Sequence, residues 1–151
     1  MIGLHTLKYL ATEKLKDAET LMQNQRYNGA VYMMGYALEF SFKRKLSKTL
    51  CFSNGFPETS AEMQQYASQL AAFNVLRTGI TLSQIRQIRN HKLVDLIKFS
   101  GAEARIVRFC YAEWLLVCCW NPERRYQRQH WTAKKAQEFM TAAGIILKQI
   151  T

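Results

Sequence analysis

The sequence predicts an all-α protein, and three observations lead to that prediction. Only two prolines and seven glycines interrupt the 151 residues, so the chain has room for long helices. Apolar residues recur at three- and four-residue steps, which is the spacing of one helix face. Alternating β-branched residues, which are typical of strands, are almost absent. The short polar breaks predict an up-and-down four-helix bundle core with one or two additional short helices.

The length and composition predict one domain that spans residues 1–151. No long linker or repeat divides the chain, and 48% of its residues are hydrophobic, so a core can form without disulfides or a structural metal. His5, His91 and His130 have no finger-like spacing to a cysteine pair. We therefore expect neither a metal nor a cofactor.

The cysteines and the apolar runs predict a cytoplasmic protein. Three of the four cysteines fall in an apolar helical segment, where a reduced cysteine behaves as a small hydrophobic residue. The N-terminal stretch is charged by its eighth residue and lacks the core of a signal peptide. The longest apolar run, near residues 111–120, is too short to span a bilayer. We expect no membrane association.

The formal net charge is +10, and it is unevenly distributed. Residues 1–75 contain 8 basic and 6 acidic side chains, whereas residues 76–151 contain 13 basic and 5 acidic ones. A basic half suits a phosphate-rich partner or an anionic surface. A solvated basic face is the alternative.

The first two helices are predicted by contrasting patterns. An amphipathic helix of about six turns comes first, and its apolar stripe is Leu4, Leu7, Ala11, Leu15, Ala18 and Met22. After a polar break at residues 24–28, residues 29–48 are apolar nearly all round, which predicts a central helix. Gly35 within it predicts a close helix crossing.

The remaining helices are predicted from caps and periodicity. Thr59 or Ser60 caps a third helix through Phe73, residues 83–99 form a further helix, and Gly101 ends that helix. A second central helix spans residues 102–120, with the apolar residues Ile106, Val107, Phe109, Cys110, Trp114, Leu115 and Val117. Thr132 caps the last helix, whose buried stripe is Ala136, Phe139 or Met140, Ala143, Leu147 and Ile150.

Glu39 is a carboxylate among aromatic residues of the central helix, and Lys43 follows it one turn later. A simple ion pair between these residues would contribute a few tenths of a kcal/mol, about 0.2–0.5 kcal/mol. The alternative is that Glu39 orients an arginine from elsewhere in the chain.

Residues 120–131, WNPERRYQRQHW, combine cationic and aromatic side chains. Arg124 and Arg128 offer charged forks for phosphate, Tyr126 and Trp131 offer faces that can stack on a base, and His130 can move a proton near neutral pH. These properties predict contact with RNA or nucleotide. The alternative is a solvated polar loop whose tryptophans turn back onto the core.

Several of these segments resemble the HEPN family. The name stands for the higher eukaryotes and prokaryotes nucleotide-binding domain, which is helical. The matching features are the alanine- and acid-containing first helix, the RYN turn at 26–28, and Glu39 with Lys43 in the second helix. NHKL at 90–93 resembles the family's Thr-His-Asp-Leu element, and RY at 125–126 resembles its Arg-Tyr before the last helix. The resemblance covers most of the chain, and residues 51–82 look like an insertion.

The resemblance implies a metal-independent endoribonuclease of the toxin or defence type. The family's signature is an arginine, four to six residues and a histidine, set between the last two bundle helices and completed across a homodimer. Arg125 and His130 fit in the expected loop, and Arg124 offers a longer spacing to the same histidine. Arg86 and His91 fit as a second choice. Position favours the first pair, and both remain open.

The chemistry restricts where such a pair can lie. Cleavage without a metal requires a group that takes the proton of the 2′-hydroxyl and a cation that stabilises the phosphate, the expected roles of His130 and Arg125. Five helical positions turn by roughly 140° net, so the pair must lie in a loop or at a helix end. For Arg86 and His91, the alternative is a structural histidine at a helix bend beside a solvated arginine.

Two other hypotheses remain beside the ribonuclease. One is a catalytically inactive HEPN module that binds nucleotide or nucleic acid, or that partners a nucleotidyltransferase. The family places a small polar residue directly after its arginine, and Tyr126 or Gln87 at that position favours this hypothesis. The other is a scaffolding bundle without a ligand, which leaves the basic second half unexplained.

Overall fold

The computed structural model describes residues 1–76, 86–126, 128 and 130–150. For residues 72–76, 86 and 125 it describes the backbone and not the side chains. Within these ranges the protein is an all-α bundle, as the sequence predicts. Its helices are α1 (Leu4–Gln23), α2 (Tyr27–Thr49), α3 (Ser60–Gln65), α4 (Ala67–Leu76), α5 (Leu93–Ser100), α6 (Glu103–Phe109), α7 (Tyr111–Val117) and α8 (Ala133–Ile150). Two short 3-10 helices span Arg86–Arg89 and Pro122–Tyr126.

Helix α2 is central, which confirms the prediction from its apolar composition. It packs against α1, α5 and α8. Because neighbours cover it on several sides, residues around most of its circumference are buried, among them Val31, Ala37, Leu46 and Ser47.

Helix α1 covers one side of α2 with the predicted stripe. Leu7 and Ala18 of that stripe are fully buried, and its other members are partly buried. Residues 52–70 close one end of the core, to which they contribute Phe52, Phe56, Met63, Tyr66 and Leu70. An antiparallel bridge joins Ile2 to Phe56. The segment that looks like an insertion therefore shares the core with the helices around it.

The predicted third helix begins as expected but is interrupted. The Thr59 hydroxyl accepts the Glu62 amide N–H at 3.2 Å, and the Glu62 carboxylate accepts the Thr59 amide N–H, so the two residues form a capping box. The prediction of one helix through Phe73 is wrong, because α3 ends before Tyr66 and α4 follows it. The Tyr66 hydroxyl donates to the carbonyl oxygen of Gly55 at 3.0 Å, so this residue holds the preceding loop.

The predicted helix over residues 83–99 is also divided. Residues 77–85 lie outside the described ranges, and the described part is a 3-10 helix, a break at residues 90–92, and α5. In the break, Asn90 accepts the Lys92 amide N–H at 2.8 Å and donates to Asp95 at 2.6 Å. These side-chain bonds compete with helical hydrogen bonds. Gly101, at φ 74°, ends α5 as predicted.

The predicted second central helix over residues 102–120 is wrong in two respects. The chain breaks at Cys110, whose φ of −142° and ψ of 35° are not helical, so α6 and α7 are separate helices. They also lie at the edge of the bundle, because only one face of each is covered. Ile106, Cys110, Trp114 and Val117 are buried, whereas Val107, Phe109 and Leu115 are exposed.

Gly35 makes room for a side chain instead of for a helix crossing. A Cβ atom at this position would lie 1.9 Å from Cε2 of the Trp120 indole. Trp120 is buried, and its ring meets Tyr36 edge to face at 5.2 Å between centroids. The glycine thus allows the Trp120 side chain to pack directly on the central helix.

The last helix follows its prediction closely. The Thr132 hydroxyl accepts the Lys135 amide N–H at 3.3 Å, which confirms the cap before α8. Ala136, Phe139, Ala143 and Ile150 are buried. Across the described part of the chain, no helix combines the length and the apolar character that a membrane crossing requires.

Candidate active site

Glu39 is a carboxylate in the centre of the bundle, with 1% of its surface exposed. Its Oε1 atom lies 2.6 Å from Nζ of Lys43, so the predicted ion pair is present. Lys43 is itself only 6% exposed. A buried pair differs from a surface pair because removal of either partner leaves an uncompensated charge in the core.

His91 reaches the same carboxylate from the break before α5. Its Nδ1 atom lies 2.9 Å from Oε1 of Glu39, while 55% of the His91 side chain is exposed. Because a carboxylate can only accept, Nδ1 carries the proton in this contact and Nε2 is the nitrogen that can take up another. The arrangement is a half-exposed imidazole held by a buried carboxylate.

The described residues around Glu39 satisfy only one of its two carboxylate oxygens. The Lys43 ammonium lies over the Phe56 ring at 5.0 Å from the centroid, and Phe56 is fully buried. Both described partners of Glu39 bind Oε1, whereas Oε2 is buried without a hydrogen-bond partner among the described residues. An unsatisfied carboxylate oxygen costs folding free energy, and such groups concentrate at functional sites.

The break that carries His91 adjoins a polar surface depression of about 600 Å³. Arg89 and Lys92 contribute its cationic groups and are exposed. Glu58 and Asp95 contribute acidic groups, so the depression has mixed charge. Arg89 and Lys92 lie within two positions of His91 in the sequence, although His91 itself does not line the depression. They offer two cationic contacts to a negatively charged ligand.

The structure places the two predicted arginine–histidine pairs in different surroundings. Arg86 begins the 3-10 helix before His91, but its side chain lies outside the described set. The Arg125 side chain also lies outside it. His130 is exposed and borders a depression of about 320 Å³ that Arg26 also lines. Among described side chains, Glu39 is bound to Lys43 and His91, the second-choice histidine.

The other predicted nucleic-acid contacts divide into exposed and packed side chains. Arg124, Tyr126 and Arg128 are exposed, Tyr126 to 77%. Trp131 is half-buried, and its ring meets Phe139 edge to face at 5.6 Å between centroids. Both tryptophans of residues 120–131 therefore turn onto the core, as the alternative interpretation expected, while Arg124 and Arg128 between them remain at the surface.

The sequence-based reasoning missed the contact between Glu39 and His91. A signal was present, since a carboxylate in a helix that is apolar on all sides needs compensating donors. The contact of Asn28 with Trp131 was also missed. The Asn28 Oδ1 atom accepts the Trp131 amide N–H at 3.0 Å across 103 positions and ties the end of residues 120–131 to the start of α2.

Comparisons with protein-family models, with curated proteins and with solved structures found no match to this chain. Within residues 1–76, 86–126, 128 and 130–150, no three histidine, cysteine, aspartate or glutamate side chains are grouped so that they could hold a metal ion. The geometry around Glu39 is therefore the principal guide to function.

Proposed function

We propose that this chain is a HEPN-type, metal-independent endoribonuclease of the toxin or defence kind, in which His91 carries the proton. One observation carries the proposal: a half-exposed imidazole whose Nδ1 atom is 2.9 Å from a buried carboxylate oxygen. A carboxylate on one nitrogen fixes the tautomer and the orientation of the ring, so that the other nitrogen is available as a general base. His91 is the catalytic residue, and Glu39 is its positioning residue.

The reaction begins with transfer of the 2′-hydroxyl proton of RNA to Nε2 of His91. The 2′-oxygen then bonds to phosphorus, the bond from phosphorus to the 5′-oxygen breaks, and the leaving oxygen takes a proton from solvent. The products are a 2′,3′-cyclic phosphate and a 5′-hydroxyl. Glu39 offsets the charge on the imidazole, Lys43 holds Glu39, and Arg86 is the proposed clamp for the phosphate.

The test is cleavage of a mixed RNA pool in excess chelator. The parent is compared with Arg86→Ala, His91→Ala, Arg125→Ala and His130→Ala. We expect His91→Ala to slow cleavage by about 10²- to 10⁴-fold, the usual contribution of a general base. His130→Ala is the matched control. Full activity of His91→Ala together with loss in His130→Ala would assign catalysis to residues 125–130 and overturn the assignment of His91.

A catalytically inactive module that binds nucleotide or nucleic acid is the second candidate. The basic second half of the chain and the exposed Arg124 and Arg128 support it. In that case the folded parent retains RNA without cutting it, and the logarithm of the association constant falls linearly with the logarithm of salt concentration. Intact RNA after prolonged incubation, with binding of this kind, would favour this candidate.

Following the same resemblance, we propose that the chain acts in the cytoplasm as a homodimer, or with a nucleotidyltransferase partner. Exposed apolar side chains around the junction of α6 and α7 support association, because Phe109 and Tyr111 are each more than half exposed. Sedimentation of the parent beside Phe109→Ser tests this proposal. A dimeric parent and a more weakly associating variant are expected, and a parent that stays monomeric at high concentration would contradict the homodimer.

A further inference from the structure

A cavity of about 250 Å³ is lined by Trp120, Asn121, Arg124 and Trp131 together with the start of α2 and Phe139 of α8. Its apolar walls are mostly aromatic, from Tyr32, Trp120, Trp131 and Phe139. The volume lies just below the range of about 300–1,000 Å³ that is usual for sites of drug-sized ligands. The cavity therefore suits a single flat ring system and not a stacked pair of rings.

The walls of the cavity are held in place before any ligand enters. Trp120 is buried over Gly35 and lies edge to face against Tyr36. The Trp131 ring contacts Phe139, and the Trp131 amide N–H is bound by Asn28. A preformed aromatic cavity binds a flat ring with little loss of conformational entropy.

The rim of the cavity is polar and cationic. Asn28, Cys119, Asn121 and Arg124 line it, and both Cys119 and Arg124 are exposed. Residues 120–131 carry three arginines and one glutamate. A guanidinium beside aromatic faces matches a ligand that joins a flat ring to an anion, because arginine binds phosphate through two parallel hydrogen bonds.

We propose that this cavity binds one nucleobase together with its phosphate, with the base between the aromatic walls and Arg124 on the phosphate. The inference rests on the proposed function. It adds a second contact for RNA besides the break that carries His91. The same chemistry is presented by a free nucleotide and by an unstacked residue of single-stranded RNA. A duplex, whose bases are stacked and paired, would not enter.

Cys119 gives a direct readout of occupancy. It lines the cavity and is exposed, whereas Cys51 is exposed and lies outside the cavity, so Cys51 is an internal control. The parent is treated with iodoacetamide, and modification at each cysteine is followed by peptide mass spectrometry. The probes are adenosine and uridine monophosphates, single-stranded RNA, duplex RNA and N-acetyltryptophanamide.

We expect nucleotide or single-stranded RNA at ten times its dissociation constant to slow Cys119 modification about tenfold, because only the free form reacts. Cys51 should be unaffected. Protection by mononucleotides identifies free nucleotide as a sufficient ligand, and protection by RNA alone identifies the strand. No protection by either, or equal slowing at both cysteines, overturns the proposal. Stronger protection by N-acetyltryptophanamide than by any nucleotide also overturns it, in favour of an apolar peptide.

Two matched pairs of variants locate the ligand. Leu116 lines the cavity and its neighbour Leu115 does not, although both are more than half exposed. Leu116→Trp should abolish protection, and Leu115→Trp should preserve it. Arg124→Gln should weaken binding about tenfold, the value of one charge-assisted contact. Arg105→Gln removes the same charge from an exposed position on α6 and should leave binding unchanged.

The failure of this inference and the failure of the proposed function have different signatures. In a cleaving enzyme, His91→Ala should lose cleavage and keep protection at Cys119. If the parent cleaves RNA and no ligand protects Cys119, the cavity inference alone is overturned. If nucleotides protect Cys119 and the folded parent never cleaves, the ribonuclease proposal alone fails.

Discussion

The Nδ1 atom of His91 lies 2.9 Å from Oε1 of Glu39, and 52 positions of sequence separate the two residues. Glu39 comes from the centre of α2, and His91 comes from the break between the 3-10 helix and α5. The contact joins a half-exposed ring to the most buried carboxylate of the described chain. Substitutions in the core around α2 should therefore change how His91 is held at the surface where RNA is proposed to bind.

Replacing Glu39 with alanine should destabilise the fold strongly, because Lys43 would remain buried without a counter-charge. We expect a loss of about 3–5 kcal/mol in the free energy of unfolding, measured by urea denaturation. The double variant Glu39→Leu with Lys43→Met should recover most of that loss. Asp17→Ala, which removes an exposed partner of Lys14, is the control and should cost less than about 1 kcal/mol. Equal losses of stability in Glu39→Ala and Asp17→Ala would show that burial does not increase the contribution of the Glu39 ion pair.

Gly35→Ala should destabilise the protein, because a Cβ atom at this position would lie 1.9 Å from the Trp120 ring. We expect a cost of about 1–3 kcal/mol and a red shift of tryptophan fluorescence as the indole moves toward water. At Gly144, in α8, a Cβ atom would point into open space, with no packed neighbour within 4 Å. Gly144→Ala should therefore stabilise the helix by about 0.5–1 kcal/mol. An unchanged spectrum in Gly35→Ala would argue against the close approach of Trp120.

The four thiols should react in a fixed order. Burial raises the pKa of Cys110, and burial together with the adjacent Cys119 thiol raises the pKa of Cys118. The thiolate is the reactive form and appears as pH rises through the pKa, so raised values delay reaction to higher pH. Exposed Cys51 and Cys119 should be alkylated first, and urea should abolish the order. Early modification of Cys110 in the folded protein would contradict the packing of α6 against α7.

Asn90→Ala should loosen the turn that holds His91, because Asn90 binds both Lys92 and Asp95. We expect a modest cost to stability of about 1 kcal/mol for the lost hydrogen bonds. The larger effect should be on cleavage, with kcat falling more than KM rises, since the imidazole would no longer be held for proton transfer. Asn54→Ala is a matched exposed control and should leave kcat unchanged. A change confined to KM would indicate that Asn90 contacts RNA instead.

Much of the fold follows from local sequence. The apolar stripe of α1, the all-round apolar character of α2, and the caps at Thr59 and Thr132 each depend on neighbours within one or two turns. The breaks at Cys110 and at residues 90–92 were not predicted. Helical periodicity continues through both, and at residues 90–92 the Asn90 side chain competes for backbone hydrogen bonds.

The candidate site was harder to predict, because its members are distant in sequence. Glu39, Lys43 and His91 were each identified, but their shared contact depends on how α5 docks on α2. The spacing between an arginine and a histidine could not distinguish His91 from His130 as the candidate. Such a spacing does not show which histidine contacts a distant residue such as Glu39. The aromatic cavity likewise depends on Tyr32 and Trp120, which are far apart in the chain and meet only after folding.

The most direct measurement is RNA cleavage by His91→Ala in excess chelator, with and without added imidazole. The proposal predicts that His91→Ala is slower than the parent by about 10²- to 10⁴-fold. Free imidazole should restore part of the rate by entering the space beside Glu39, and it should not accelerate the parent or His130→Ala. Cleavage by His91→Ala at the parental rate would show that the histidine held by Glu39 is not the proton carrier.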